Sequence, residues 1–231
     1  DPLACNSGDT PYLTVDNILK NGVPAGVNLH LQDNVPAWMI NKIWVANMGH
    51  SLSGYFGKKA GYTYIGECHD DPYIMRCMLL AKREGTFAMH EEYGMSYEAM
   101  EAQDPVEQQK ARYLDHVANS VDKDTSDRVC GDLTRKLAKG DRLIGPALAC
   151  LRHGRVPYFL ARGAAMALYF VSPTDKTSQA VQDYIAEHGV QAAIQKFCGL
   201  SPEDPAEKTL LELITGIYYE IGDQYPFDVV Y

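Results

Sequence analysis

The segment Lys42-Ile43-Trp44-Val45-Ala46-Asn47-Met48-Gly49-His50 sets an amine, an amide and an imidazole within nine residues. On an α-helix each residue turns about 100° and rises about 1.5 Å, so with Lys42 at zero His50 falls near 80° and Asn47 near 140°. All three then share one side, and side chains lean toward the helix N-terminus, which brings Asn47 and His50 toward the long lysine stem. The chemistry this offers is acid–base catalysis. Apolar flanks and a second cationic group both disfavour an ammonium ion, as a proton-moving lysine requires. An amide N–H suits a developing alkoxide or carbonyl oxygen, and an imidazole can bind a neighbouring hydroxyl. Trp44, Val45 and Met48 are expected to surround the three with apolar bulk. The blander alternative stays open: Lys42 snorkels, Asn47 packs at a helix contact and His50 is a satisfied core histidine.

A second segment reverses the sign of the chain locally. Between Arg135 and Arg155 six basic residues face a single acid, Asp141, in a protein of formal net charge -9. Gly140 and Gly145 bracket a turn leading into a helix start at Pro146. Arginines beside a helix N-terminus suit an anion, so Arg135, Lys136 and Arg142 are candidates for binding an anionic substrate tail. A solvated basic surface is the competing explanation. A third cluster, Glu67-Cys68-His69-Asp70-Asp71, has metal-ligand chemistry, but Asp70 and Asp71 are better explained as a cap before Pro72. No metal is called for.

The elements that position these residues announce themselves by punctuation, Pro near helix starts and Gly just past their ends. Asn34 and Pro36 open a segment that runs to Gly61; Asp71-Pro72 opens one ending at Gly94; Asp104-Pro105 starts a third with apolar positions at helical spacing through Val121. Gly145-Pro146 begins a short helix ending near Gly154, and Pro157 precedes an apolar run from Phe159 to Val171. Ser178–His188, Val190–Cys198 and Pro205–Ile221 complete the series. Strict alternation nearly vanishes after residue 35, so a mainly α, multi-helix bundle is expected for residues 34–231. Residues 1–33 are rich in Asn, Gly, Pro and Thr. They read as an irregular segment with two short strands, near Tyr12–Val15 and Val27–Leu31. The chain opens Asp1-Pro2-Leu3 without an initiator Met, which leads us to expect a processed chain or a piece of a longer protein.

Several classes are disfavoured. The acidic balance argues against general nucleic-acid binding, which needs a basic footprint. Nothing approaches the run of about 18 apolar residues that a membrane helix needs. The six cysteines are widely and irregularly spaced, which favours reduced thiols and a cytoplasmic location. There is no GxGxxG after a strand, no phosphate-binding GxxxxGK[ST] and no HExxH; Gly54-Tyr55-Phe56-Gly57 is only GxxG.

Taken together, the segments resemble the mannitol dehydrogenase family of polyol-specific long-chain dehydrogenases and reductases. That family carries Lys-x4-Asn-x2-His on a helix of its C-terminal domain, matched here by Lys42, Asn47 and His50. The glycine-rich continuation from His50 to Gly61 is also similar. Arg135-Lys136-Leu137 followed by Asp141-Arg142-Leu143-Ile144 and Pro146 resembles the mannitol-1-phosphate 5-dehydrogenase branch. One departure is that Arg128-Val129 is followed by Cys130-Gly131-Asp132, without the second arginine usual in that branch. The resemblance implies an all-α domain akin to the C-terminal domain of 6-phosphogluconate dehydrogenase. It also implies a Rossmann domain upstream that binds NAD, with residues 1–33 as its trailing edge. Lys42, Asn47 and His50 would be catalytic, and Arg135, Lys136 and Arg142 would bind substrate. The implied activity is NAD-dependent oxidation of a polyol, mannitol 1-phosphate foremost, with this chain alone inactive. The alternatives are an unphosphorylated polyol or hexuronate substrate, or a non-catalytic helical module for binding or dimerisation.

Overall fold

The computed structural model describes residues 13–16, 29–103 and 124–223, so the helix expected from Asp104 lies outside the described residues. The chain divides into two compact units, residues 1–40 and 41–231. In the first, β1 (Leu13–Asp16) and β2 (Leu29–Gln32) pair in parallel, Leu13 opposite Leu29. These strands fall on the two apolar runs expected of them. A turn through Asp33 and Asn34 then leads into α1 (Val35–Asn41).

The second unit is mainly α, as expected. After a π-helical segment, Lys42–Asn47, come α2 (Met48–Ala60), α3 (Ile65–Asp70), α4 (Pro72–Tyr93) and α5 (Tyr97–Gln103). Beyond residue 123 follow α6 (Ser126–Cys130), α7 (Leu133–Lys136), α8 (Ile144–Arg152) and α9 (Tyr158–Ala167). The series ends with α10 (Lys176–His188), α11 (Val190–Cys198) and α12 (Pro205–Asp223). Asp71 caps α4 by accepting the amides of Tyr73 and Ile74, while Gly94 ends it in the left-handed region at φ 64. That is the capping role expected of this acid, and Glu67 likewise accepts the amides of Thr63 and Tyr64 at the start of α3. The short helices α3, α6 and α7 are not anticipated by the sequence pattern.

The α2 helix lies at the centre. It packs against α3, α4, α6 and α9, and Met48, Leu52, Tyr55 and Phe56 are all buried. A helix enclosed on most sides needs small residues where neighbours come close. The Sγ of Cys130 lies 2.8 Å from where a Cβ at Gly54 would stand, and that of Cys68 crowds the same place at Gly57. The GxxG therefore serves packing. Cys68, Cys77, Cys130, Cys150 and Cys198 are buried free thiols, as expected of a reduced core.

The α4 helix supports two neighbours in different ways. Its buried Glu84 reaches the start of α9 and accepts the amides of Phe159 and Leu160 at 3.1 and 2.8 Å. It thus satisfies helix-terminal donors that have no intrahelical partner. Burial pushes this carboxyl up to about 7, against the opposing pull of those amides. At the very next residue, Gly85 lets the backbone carbonyl of Trp44 approach within 2.6 Å of a would-be Cβ. In an exposed helix, exchanging Gly for Ala gains about 1 kcal/mol. Here we expect the reverse, because backbone cannot rotate away: Gly85→Ala should destabilise the chain by about 1–3 kcal/mol. Urea unfolding checks this, and a variant as stable as the parent would show that α4 and the π-helical segment can separate freely.

Candidate active site

Lys42, Asn47 and His50 come together differently from the α-helical arithmetic. Residues Lys42–Asn47 form a π-helix, with the Met48 amide bonded to the carbonyl of Ile43 five residues back. An i→i+5 ring takes more residues per turn than an α-helix, so the backbone sets Asn47 closer to the Lys42 side than the roughly 140° of a regular α-helix. The expectation of uniform α-geometry is corrected here. The extra residue is accommodated because Gly85 admits the Trp44 carbonyl. Three residues on, His50 follows Asn47 on regular α2. A second correction concerns the apolar flank. Trp44, Val45 and Met48 are buried, but Lys42 is exposed. The three apolar side chains anchor the segment to the core and do not enclose the exposed amine.

Trp44 also recruits the basic turn. Its indole Nε1 donates to the Gly140 carbonyl at 3.2 Å, and its ring lies 2.7–2.9 Å from where a Cβ at Gly145 would stand. The turn from Gly140 to Gly145 is thereby fixed on the segment that carries Lys42. Arg142, buried in that turn, donates from Nη1 to Ser51 Oγ at 3.0 Å. Ser51 in turn donates to the Asn47 carbonyl at 2.9 Å. Two motifs separated by some ninety residues are thus joined by one hydrogen-bond chain.

The other basic residues differ in setting. Lys136 is buried and donates to the Val129 carbonyl at 2.6 Å. Burial first, and Arg142 second, push its ammonium down to about 8. Arg135 is exposed and pairs with Asp132, and with Asp141 at 3.4 Å. Asp141 also accepts Arg142 Nε at 2.7 Å, so one carboxylate serves two guanidiniums.

Several groups near His50 were not flagged by sequence. Asp124 Oδ2 lies 3.4 Å from His50 Nε2. His69, on α3, is buried at 5% exposure, and desolvation, then His50, push its imidazole down to about 4; Lys82 acts in the same direction. The stem of buried Lys82 lies against Gly49, its Cδ 3.3 Å from where a Cβ would stand. His69 drew attention only as a metal ligand. Among the described residues no three His, Cys, Asp or Glu side chains are grouped to hold a metal. Lys82, Asp124 and Ser51 had no signal, because only tertiary folding places them here.

The described residues do not fit a dinucleotide. Its phosphates require amides freed by glycine at a strand-to-helix turn. The described turn of that kind, Asp33-Asn34 between β2 and α1, has no glycine; in α2, Gly54 and Gly57 are covered by cysteine sulfurs and Gly49 by Lys82 and Met78. No helix among the described residues is long and apolar enough to cross a membrane.

Comparison with known proteins matches residues 34–210 to the family model of the mannitol dehydrogenase C-terminal domain. Among solved structures the chain is similar to mannitol 2-dehydrogenase of Pseudomonas fluorescens, in a ternary complex with NAD and D-mannitol. The TM-score is 0.60 and the sequence identity 19%. The alignment covers 91% of this chain and 44% of that one. At that identity the likeness shows the fold alone, and the chain spans less than half the length of that structure.

The cluster around His50 has a pH signature. His69 stays neutral in the fold while the unfolded chain protonates it near 6.5, so stability is full above 6.5 and declines as pH falls toward 4. Between pH 7.5 and 5 this group alone should remove about 2 kcal/mol. Urea unfolding of the parent and of His69→Gln at both pH values isolates it: the parent should lose about that much more than the variant. Parallel losses would place His69 in a solvated setting.

Proposed function

The chain belongs to the mannitol dehydrogenase C-terminal domain family, and from that premise we propose that it is the substrate-binding and catalytic half of an NAD-dependent polyol dehydrogenase. The observation that supports this reading is that Lys42 and Asn47 stand at the two ends of one π-helical segment, with His50 on the same run of helix. In the alcohol-to-ketone direction a substrate hydroxyl must lose its proton, and Lys42 is the group that takes it. Asn47 donates its amide N–H to the oxygen as negative charge develops there. His50 orients the substrate through an adjacent hydroxyl. NAD belongs to this reading as the oxidant, held by a domain outside the described residues, so the chain alone is expected to be inactive.

General acid–base catalysis contributes roughly 10²–10⁴-fold. In the two-domain enzyme Lys42→Ala should lower kcat by about that factor while leaving NADH binding intact, and it should abolish the limb of the activity–pH profile that reports lysine deprotonation. Near-normal kcat in this variant would return Lys42 to a solvent-facing role.

For the substrate we propose mannitol 1-phosphate, with Arg135, Lys136 and Arg142 binding its phosphate. The support is the hydrogen-bond chain from Arg142 through Ser51 to the backbone of Asn47. One observation favours an unphosphorylated polyol instead: Asp141 already serves both Arg135 and Arg142. The ratio of kcat/KM for mannitol 1-phosphate to that for mannitol separates these. Hydrogen bonds to charged groups contribute about 1.5–3 kcal/mol, so Arg142→Ala should lower the ratio about 10- to 150-fold. Lys136→Ala should lower it less, since a lysine lacks the bidentate fork. The Ser51 contact makes some loss common to both substrates, which the ratio cancels. An unchanged ratio would give the basic turn a structural role and favour the unphosphorylated substrate.

A further inference from the structure

We infer that Ser51 is a positioning residue for substrate recognition: its buried hydroxyl orients the Arg142 guanidinium and sets its reach from Asn47. This rests on the reading above that Arg142 meets the substrate's phosphate. Ser51 belongs to α2 and is almost fully buried. A serine hydroxyl has one proton to give and lone pairs that take a donor. Here the proton goes to the Asn47 carbonyl at 2.9 Å, one turn back on the helix. A lone pair takes Arg142 Nη1 at 3.0 Å. A serine that bonds back to the carbonyl four residues earlier is ordinarily a local adjustment of its own helix. This one also holds a buried cation from a turn 91 residues further on. One oxygen thus touches both the end of the Lys42–Asn47 segment and the basic turn.

The guanidinium is gripped at two of its nitrogens. Asp141 Oδ1 accepts Arg142 Nε at 2.7 Å and the Arg142 amide at 2.7 Å. Asp141 is itself fixed, its amide donating to the Ala138 carbonyl and its carbonyl accepting the Gly145 amide, both at 2.9 Å. The Trp44 indole ties the same turn at Gly140. An arginine fork carries more N–H donors than these partners use. Among the described residues nothing takes Nη2, and that nitrogen is not sealed inside the protein, so it stays open to an incoming anion. Lys136 lies near enough for the Arg142 charge to help push its ammonium down, and an anion relieves both cations. Without Ser51 the fork keeps only the Nε bond to Asp141, and a single bond leaves its plane free to tilt. The hydroxyl therefore pre-orients the fork, which removes an ordering cost from binding. It also fixes how far the anion stands from the reacting oxygen beside Asn47.

The test uses the two-domain enzyme and the ratio of kcat/KM for mannitol 1-phosphate to that for mannitol. A uniform loss of folded enzyme cancels in this ratio. Ser51→Ala should lower it about 3- to 10-fold, the weight of one hydrogen bond. The drop should be smaller than in Arg142→Ala, because the guanidinium is still present. Ser51→Thr, which keeps the hydroxyl, should bring the ratio back toward the parent. Added to Arg142→Ala, the Ser51→Ala change should lower the ratio no further, since its effect on the phosphate travels through the guanidinium. Equal losses on the two substrates in Ser51→Ala, with Arg142→Ala still lowering the ratio, would overturn the inference and leave the phosphate reading in place. A ratio that stays low in Ser51→Thr would assign the effect to packing and count against the inference in the same way. An unchanged ratio in Arg142→Ala would sink the phosphate reading and the inference with it.

Discussion

The indole of Trp44 is held on three sides, and most of the site hangs from it. Its backbone carbonyl sits against Gly85 of α4, its ring fills the space beside Gly145, and its Nε1 donates to the Gly140 carbonyl. Tyr93 meets the ring edge-on at 5.9 Å between centroids. Apart from Tyr93, each contact requires a residue with no side chain or a bare carbonyl, so the fit tolerates little change. The segment carrying Lys42 and Asn47 is π-helical at this residue, and the turn carrying Arg142 closes onto the same ring. A single large side chain thus sets the spacing between the Lys42–Asn47 segment and the basic turn. Interiors are packed densely enough to transmit such a constraint without loss.

Electrostatics divides the basic turn into groups with different freedom. Arg142 and Arg135 share Asp141, Arg135 also meets Asp132, and Lys139 pairs with Glu207 of α12. Among the described residues Lys136 alone of these four is paired with no carboxylate; its hydrogen bond is to the Val129 carbonyl. A buried ammonium facing only a carbonyl is costly, which is why its pKa falls. An anion arriving beside it would relieve that cost. The same anion would gain far less from Arg135, whose charge is exposed and already compensated. The local inversion of sign seen in the sequence therefore overstates the charge that the fold leaves available, because Asp132 and Glu207 lie outside the stretch being counted or on another helix.

What could be read from the sequence follows from the range of the interactions involved. Helix limits set by local chemistry were legible: the Asp71 cap with Pro72, Gly94 beyond α4, and the pairing of Val190–Cys198 with a single helix. The Phe159–Val171 run was read too long, since α9 ends at Ala167 and the chain turns through Leu168 and Tyr169 by bonds to carbonyls two to four residues back. Spacing alone singled out Lys42, Asn47 and His50, yet it could not show the π-helix, which depends on the close approach of Trp44 to Gly85 forty residues away. For the same reason Ser51, Lys82 and Asp124 went unmarked, and His69 was marked only as a metal ligand. Their relation to the site is made by α3, α4 and the Thr63–Ser126 backbone pairing, and none of that is periodic in sequence.

The exposure of Lys42 bears on how such a site can work. Proton transfer by a lysine benefits from a dry, apolar setting that disfavours its ammonium form. Here the apolar residues of its own helix turn inward to hold the segment, so they cannot supply that setting. On the proposed reading, substrate and a covering surface would have to supply it. The buried Trp44, Arg142 and Ser51 contacts fix the segment beforehand. Positioning and desolvation would then be separated: the fold of this chain would provide the first, and binding the second.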